Sequence, residues 1–167
     1  MSLDRRAFLL SAAALGACSP RSTASAAAKA ASPDAYAASP WRKLTPAQWQ
    51  ARLPAPSFDV LRQAGTEAPF SSPLDKLYKP GVYACAGCGL PLFKSQWKFD
   101  SGTGWPSFWT ETPGTLIKKA DYQIIEPRTE YHCAQCLGHQ GHVFNDGPKP
   151  TGLRYCNNGV ALKFVPA

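Results

Sequence analysis

The sequence predicts a mainly β domain, an antiparallel core with one or two short helices packed on it from the N-terminal side and a four-cysteine, zinc-ribbon-like centre. Three observations lead there. Beyond Gly81 the chain runs in short β-type segments punctuated by glycine and proline, without the alternation of strand and helix that a parallel sheet needs. The helix signals all fall before that point. Two Cys-x-x-Cys pairs, Cys85/Cys88 and Cys133/Cys136, each follow a strand candidate, as metal-binding knuckles usually do.

The N-terminus reads as an address. Asp4-Arg5-Arg6-Ala7-Phe8-Leu9-Leu10 leads into an apolar stretch, Ala7 to Ala17. That stretch is too short for a bilayer, which takes about 20 residues. Residues 1–26 therefore read as a signal peptide, and twin arginines followed by Phe-Leu resemble the twin-arginine export signal. Two cleavage patterns compete. Leu15-Gly16-Ala17-Cys18 resembles a lipobox, which would lipidate Cys18 and tether the protein to a membrane; Ala24-Ser25-Ala26 fits a small-residue site that would release it without Cys18. The expected location is the periplasm or cell envelope. Residues 27–43 belong to an Ala/Ser/Pro-rich stretch with almost no large apolar side chains, and are expected to be a flexible tether ahead of a domain at 44–167.

Within the domain, Thr45-Pro46 is a helix start, with Thr as cap and Pro at the first helical position, and Trp49 and Leu53 then share one face. Ser57 is the candidate cap of a second helix through Phe58, Leu61 and Arg62, ended by Gly65. The strand candidates are residues 81–85, 116–118, 122–125, 130–133, 142–144 and 160–164. The net charge of +7 is scattered as single lysines and pairs such as Lys118-Lys119. No basic helix or run supplies a nucleic-acid footprint, so no nucleic-acid partner is expected.

For an exported protein, four cysteines by default suggest two disulfides. The spacing argues for zinc instead: a Cys-x-x-Cys pair bridged to itself closes a tight, easily reduced ring, whereas two knuckles deliver four thiolates to a tetrahedral ion at about 2.3 Å. One structural Zn2+ per chain, held by Cys85, Cys88, Cys133 and Cys136, is the expected cofactor. Cys156 is then left free to react.

Three further motifs accompany the knuckles: Lys98-Phe99-Asp100-Ser101-Gly102-Thr103-Gly104-Trp105-Pro106-Ser107-Phe108, His139-Gln140-Gly141-His142-Val143-Phe144-Asn145-Asp146-Gly147-Pro148, and Thr151-Gly152-Leu153-Arg154-Tyr155-Cys156-Asn157-Asn158. Together and in this order, they resemble the B-type methionine sulfoxide reductases, the family specific for the R epimer at sulfur. The resemblance runs from about Leu44 to Val165. It implies a β-tent-like core of two small antiparallel sheets, and thiol-dependent reduction of methionine-R-sulfoxide, mainly in oxidised proteins. Cys156 would be the nucleophile that becomes a sulfenic acid, with Arg154 or His142 as the cation that favours its thiolate. His142 and His139 would handle the sulfoxide oxygen and its proton, and Asn158 the polar end of the substrate. Trp105 would wall the substrate methyl, with Phe108 and Asp146 as further substrate-site residues, although Asp146 and Arg154 could also be a pair that fixes the loop.

Two departures from the family pattern stand out. Thr103 occupies the position where many members carry the cysteine that resolves the sulfenic acid, which implies an external, thioredoxin-like thiol reductant. Gly159-Val160-Ala161 replaces a more usual serine-containing sequence, which could reshape the back of the pocket. Two other classes fit parts of the sequence: an inactive zinc-ribbon interaction module, and a disulfide oxidoreductase cycling a Cys-x-x-Cys pair.

Overall fold

The computed structural model describes residues 32–122 and 127–167. The twin arginines, Cys18 and both cleavage patterns lie outside the described residues, as does most of the expected strand at 122–125. Thr45 opens α1 (Pro46–Gln50) through a reciprocal capping box, in which its hydroxyl accepts from the Gln48 N–H and the Gln48 side chain accepts from the Thr45 N–H. α2 (Ala55–Gln63) starts earlier than expected, at Pro54, and has no side-chain cap. Ser57 is spent elsewhere, donating to the Val160 carbonyl at 2.7 Å. The left-handed residue that ends α2 is Ala64, at φ 55°, one place before the expected glycine.

The expected tether is not free as far as residue 43. Pro40–Lys43 forms a 3-10 turn, Trp41 stacks on Trp49 with ring centroids 5.8 Å apart, and the Arg42 guanidinium donates to the Ala134 carbonyl at 2.6 Å. A tryptophan and a buried carbonyl give this segment the partners that its small neighbours lack.

Two antiparallel sheets follow. The smaller has the order β2-β1-β9, with β1 (Gly81–Cys85), β2 (Pro91–Lys94) and β9 (Leu162–Pro166). The larger has six strands in the order β3-β4-β8-β7-β6-β5: β3 (Lys98–Phe99), β4 (Ser107–Phe108), β5 (Leu116–Asp121), β6 (Arg128–Cys133), β7 (His139–Phe144) and β8 (Arg154–Asn157). The mainly antiparallel, two-sheet core is the one the sequence predicts. β9 begins two residues later than expected because Gly159–Ala161 winds into a 3-10 turn. The two-residue strands β3 and β4, and β2 and β8, had no periodicity to show them.

Aromatic rings from both sheets meet between them. Phe93 stacks on Phe108 at 4.2 Å, and Tyr83, Tyr131 and Tyr155 surround that pair at 5.0 to 6.3 Å. All five rings are essentially inaccessible to water. Large rings meeting edge and face supply both buried area and geometric specificity, which fixes how the sheets sit against each other.

Candidate active site

Five strands of the large sheet and the loops that flank them build the site. Cys156 on β8 is paired with His142 on β7 and with Ser107 on β4, and directly opposed residues share a face of the sheet. Strict alternation would put His139 and His142, three apart, on opposite faces. A bulge prevents this. Tyr131 pairs with Gly141 but its neighbour His132 pairs with His139, so Gln140 is the extra residue and the strand is re-aimed around it. The rings of His139 and His142 then stand 5.5 Å apart. Gly141 sits where a Cβ would lie 2.0 Å from the Cys156 carbonyl, so only glycine lets β7 approach β8 this closely.

Each histidine is held by a carboxylate, through opposite ring nitrogens. The Nδ1 of His139 lies 2.6 Å from Glu130 Oε1, leaving a buried Nε2 without a protein partner. The Nε2 of His142 lies 2.8 Å from Asp121 Oδ2, which also accepts from Arg128 at 2.7 Å. Burial outweighs the carboxylates: His139 is pushed down to about 4, and His142 moves in the same direction. Burial pushes the Glu130 carboxyl up, but Lys119 and the two histidines beside it hold it below the usual range. Both rings are therefore neutral at neutral pH.

Cys156 differs from the expectation in one respect. Burial pushes its thiol above the ordinary value, and the Arg154 charge and hydrogen bonds from Thr103 and Arg154 oppose that shift without cancelling it. Arg154 is already engaged, since its guanidinium makes two 2.8 Å hydrogen bonds to Asp146 and lies 4.3 Å over the Phe144 ring. Thr103 ends a hydroxyl chain: its Oγ1 is 2.8 Å from Ser101 Oγ, which is 2.8 Å from Ser107 Oγ, which donates to the Trp105 carbonyl at 3.0 Å.

Cys156, Trp105, His142 and Asn158 line one pocket of about 170 Å3, together with Thr66, Arg128, Gly141, Phe144 and Asn157. Pockets for drug-sized ligands span roughly 300–1,000 Å3, so this one suits a single side chain. His139 lies behind His142, off the wall. Two expected substrate contacts are corrected. Phe108 is fully buried and stacked on Phe93, because its position on β4 points it between the sheets, away from Cys156. Asp146 lies outside the pocket with a largely exposed side chain, and its contact is with Arg154.

A residue that the sequence did not flag holds the pocket together. Glu67 donates its N–H to Asn158 Oδ1 at 3.0 Å and accepts from Trp105 Nε1 at 3.2 Å. Its carboxylate accepts from the N–H groups of Gly159 and Val160, capping the 3-10 turn behind Cys156. The glycine departure has its reason here, since a Cβ on Gly159 would lie 1.9 Å from Ser72 Oγ. Glu67, Asp121, Glu130 and Arg128 carry no local signal, because each acts on residues distant in the chain.

The knuckles fit a metal. The sulfurs of Cys85, Cys88, Cys133 and Cys136 all lie within 4.8 Å of one another, with Cys85 and Cys136 3.6 Å apart and Cys88 and Cys133 3.5 Å apart. A tetrahedral ion with 2.3 Å bonds asks for about 3.8 Å between sulfurs. The nearest sulfurs belong to different knuckles, and the five cysteines of the described residues are free thiols, so no Cys-x-x-Cys ring is closed. The set suits a structural Zn2+, which would clamp the β1 end of the small sheet to the β6–β7 turn. Arg62 supports it from α2, donating to the Cys136 carbonyl at 3.0 Å while lying 4.4 Å over Trp49.

Comparison with known proteins agrees with this architecture. The SelR domain model matches residues 53–166. A peptide methionine sulfoxide reductase MsrB of Herminiimonas arsenicoxydans is 50% identical over 121 residues, covering 72% of this chain and 88% of the relative. One of Caulobacter vibrioides is 51% identical over 121 residues, covering 71% and 75%. The mitochondrial methionine-R-sulfoxide reductase B2 of Rattus norvegicus is 47% identical over 133 residues, covering 74% and 76%. With the knuckles, the bulged histidine strand and the lone thiol in place, the chain belongs to the SelR-domain family, the B-type methionine sulfoxide reductases.

Proposed function

We propose that this protein reduces the R epimer of methionine sulfoxide, chiefly in exposed segments of oxidised proteins, with Cys156 as nucleophile. The observation that carries the reading is Cys156, the single thiol outside the metal site among the described residues, set in a side-chain-sized pocket with Trp105, His142 and Asn158 around it. The Cys156 sulfur attacks the sulfoxide sulfur, and the oxygen passes from substrate to enzyme. Cys156 ends as a sulfenic acid, oxidised by two electrons, and the substrate ends as a thioether, reduced by two. The only proton needed is the one the thiol carries at rest. Neutral His142, opposite Cys156, takes it as the sulfur attacks and passes it to the leaving oxygen; His139 holds His142 in place and is the next acceptor. Burial holds the thiol above its ordinary value and His142 below its own, so both groups are uncharged at rest and the proton moves within the attack rather than before it. Trp105 offers a flat wall to the substrate methyl, which is how the pocket senses the handedness of sulfur.

Thr103 has a hydroxyl where a resolving thiol would stand, and the knuckle sulfurs are committed to one another. An external thiol of thioredoxin type therefore returns Cys156 to the thiol. The twin arginines support an exported enzyme repairing envelope proteins, which fractionation of cells producing the full chain, with and without Arg5→Lys/Arg6→Lys, tests directly. For the reaction, the zinc-loaded protein and its Cys156→Ser variant are given a methionine sulfoxide peptide as separated epimers, with dithiothreitol as reductant. Loss of the R epimer alone, absent in the variant, is expected. No turnover of either epimer by the folded, metal-loaded protein would leave the interaction-module reading in its place.

A further inference from the structure

Gln140, the residue extruded by the β7 bulge, is 0% exposed and lies between the metal centre and the catalytic strand. Its amide nitrogen donates to Cys85 Sγ at 3.3 Å. Its amide oxygen accepts from Asn157 Nδ2 at 3.4 Å, and its main-chain carbonyl accepts both the N–H and the Nδ2 of Asn158, at 2.9 and 3.1 Å. Asn157, also 0% exposed, is fixed in turn by the Tyr131 hydroxyl at 2.9 Å and by its own bond to the Asn158 carbonyl at 2.8 Å. An unbroken run of buried hydrogen bonds thus joins a metal-ligand sulfur to the two residues that follow the nucleophile.

Buried amides cost free energy unless paired, so a core that carries two of them is held to one arrangement. The partners of these two are unequal. Besides Gln140, Asn157 has two partners, the Tyr131 hydroxyl and the Asn158 carbonyl, but the only described acceptor for the Gln140 side-chain N–H is a metal-ligand sulfur. Hydrogen bonds of this kind orient metal ligands, and their loss typically costs 10–100-fold in metal affinity.

We propose that Gln140 is a positioning residue that ties the Cys156–Asn158 segment to the four-cysteine centre, so that the state of the metal site is felt at the nucleophile and the state of the catalytic strand is felt at the metal. The proposal rests on the reading of Cys156 as nucleophile for its consequence, but not for its first test. In Co2+-loaded protein, Gln140→Leu removes the N–H on Cys85. The sulfur-to-cobalt charge-transfer band should move to lower energy, and metal transfer to a chromogenic chelator should quicken about tenfold. Asn157→Leu touches no metal ligand, yet should also move the band, because it frees the Gln140 oxygen and lets the amide turn. In the other direction, Gln140→Leu should change the rate of Cys156 alkylation by iodoacetamide at least threefold in the metal-loaded protein.

Gln140→Leu leaves Asn157 its Tyr131 and Asn158 partners, whereas Asn157→Leu leaves the Gln140 amide oxygen and the buried Tyr131 hydroxyl without theirs and could fail to fold. The triple variant Tyr131→Phe/Gln140→Leu/Asn157→Leu leaves none of these polar groups behind, so it should recover melting temperature while keeping the shifted band and the fast metal transfer. A merely structural role would restore all three together. An unmoved band in Gln140→Leu would overturn the sulfur contact; a band unmoved by Asn157→Leu, with Cys156 alkylation unmoved by Gln140→Leu, would overturn the coupling. If Cys156→Ser keeps full reductase activity, the nucleophile reading fails while the metal readouts stand on their own.

Discussion

The knuckle cysteines and Cys156 place the same side chain in two settings. At the knuckles, four sulfurs face one another, with an arginine guanidinium and a glutamine amide among their neighbours, so a cation can satisfy them all at once. In the pocket a single sulfur faces open space, with neutral His142 and a hydroxyl beside it and a guanidinium already committed to Asp146. Sulfur does not choose between scaffold and reagent. The number and commitment of its neighbours does, and that is set by which strands meet.

The largest effect that separates the two settings is on stability. Cys133→Ser breaks the tetrahedral set, and the metal's binding energy is also folding energy, so the melting temperature should fall by more than about 10 °C with loss of bound zinc, read by calorimetry and atomic absorption. Cys156→Ser should do the reverse. It should leave melting within about 2 °C and lower R-epimer reduction at least about 1,000-fold, measured as thioether released on a chromatogram. A Cys133→Ser protein that melts normally would erase the distinction.

Next comes pH, which should act on the pocket. His139 in the folded protein titrates near 4, against about 6.5 unfolded, so between these values the unfolded chain binds the extra proton. Its contribution is complete above about pH 6.5 and is lost as pH falls toward 4, amounting to at most about 3 kcal/mol. Urea midpoints at pH 7 and pH 4.5 should therefore differ more in the wild type than in His139→Gln; equal differences would remove the buried neutral histidine from the account.

The smallest effect belongs to Glu67, which holds the pocket together. Glu67→Gln keeps the size of the side chain but removes the charge that caps two N–H groups. KM should rise about tenfold with kcat changed less than about threefold, equivalent to about 1.4 kcal/mol, because the carboxylate fixes the segment whose main-chain N–H and carbonyl hold Asn158 and Trp105, and loosening it shifts that wall while Cys156 stays in place.

Much of this was legible in the chain. The four-cysteine set is visible because its spacing is local, and the thiol left over follows from counting. Cys156, His142, Trp105 and Asn158 meet as the motif order implied, since each motif is a strand or the turn beside one. What escaped was long-range. Phe108 shares a motif with Trp105 yet faces between the sheets, because two steps along a strand and a turn reverse direction in ways a motif does not record. The Cys156 thiol was expected to ionise beside Arg154, but burial and the Asp146 pair decide otherwise, and neither can be read without coordinates. Glu67 acts across more than 90 residues of sequence, beyond the reach of any pattern.

The bulge in β7 also bears on how this stretch can change in length. In an ordinary edge strand, losing one residue trims an end and the sheet closes over it. Here the stretch His139-Gln140-Gly141-His142 spends one residue outside the ladder to bring two histidines to one side, and the next glycine admits the neighbouring strand. Deleting Gln140 would restore regular pairing with the imidazoles two apart and still on one face, but would remove the buried amide between the four-cysteine centre and Asn157; deleting Gly141 would bring a side chain against the Cys156 carbonyl. A more regular sheet would be the less competent one, so this stretch should resist insertions and deletions even where it accepts substitutions.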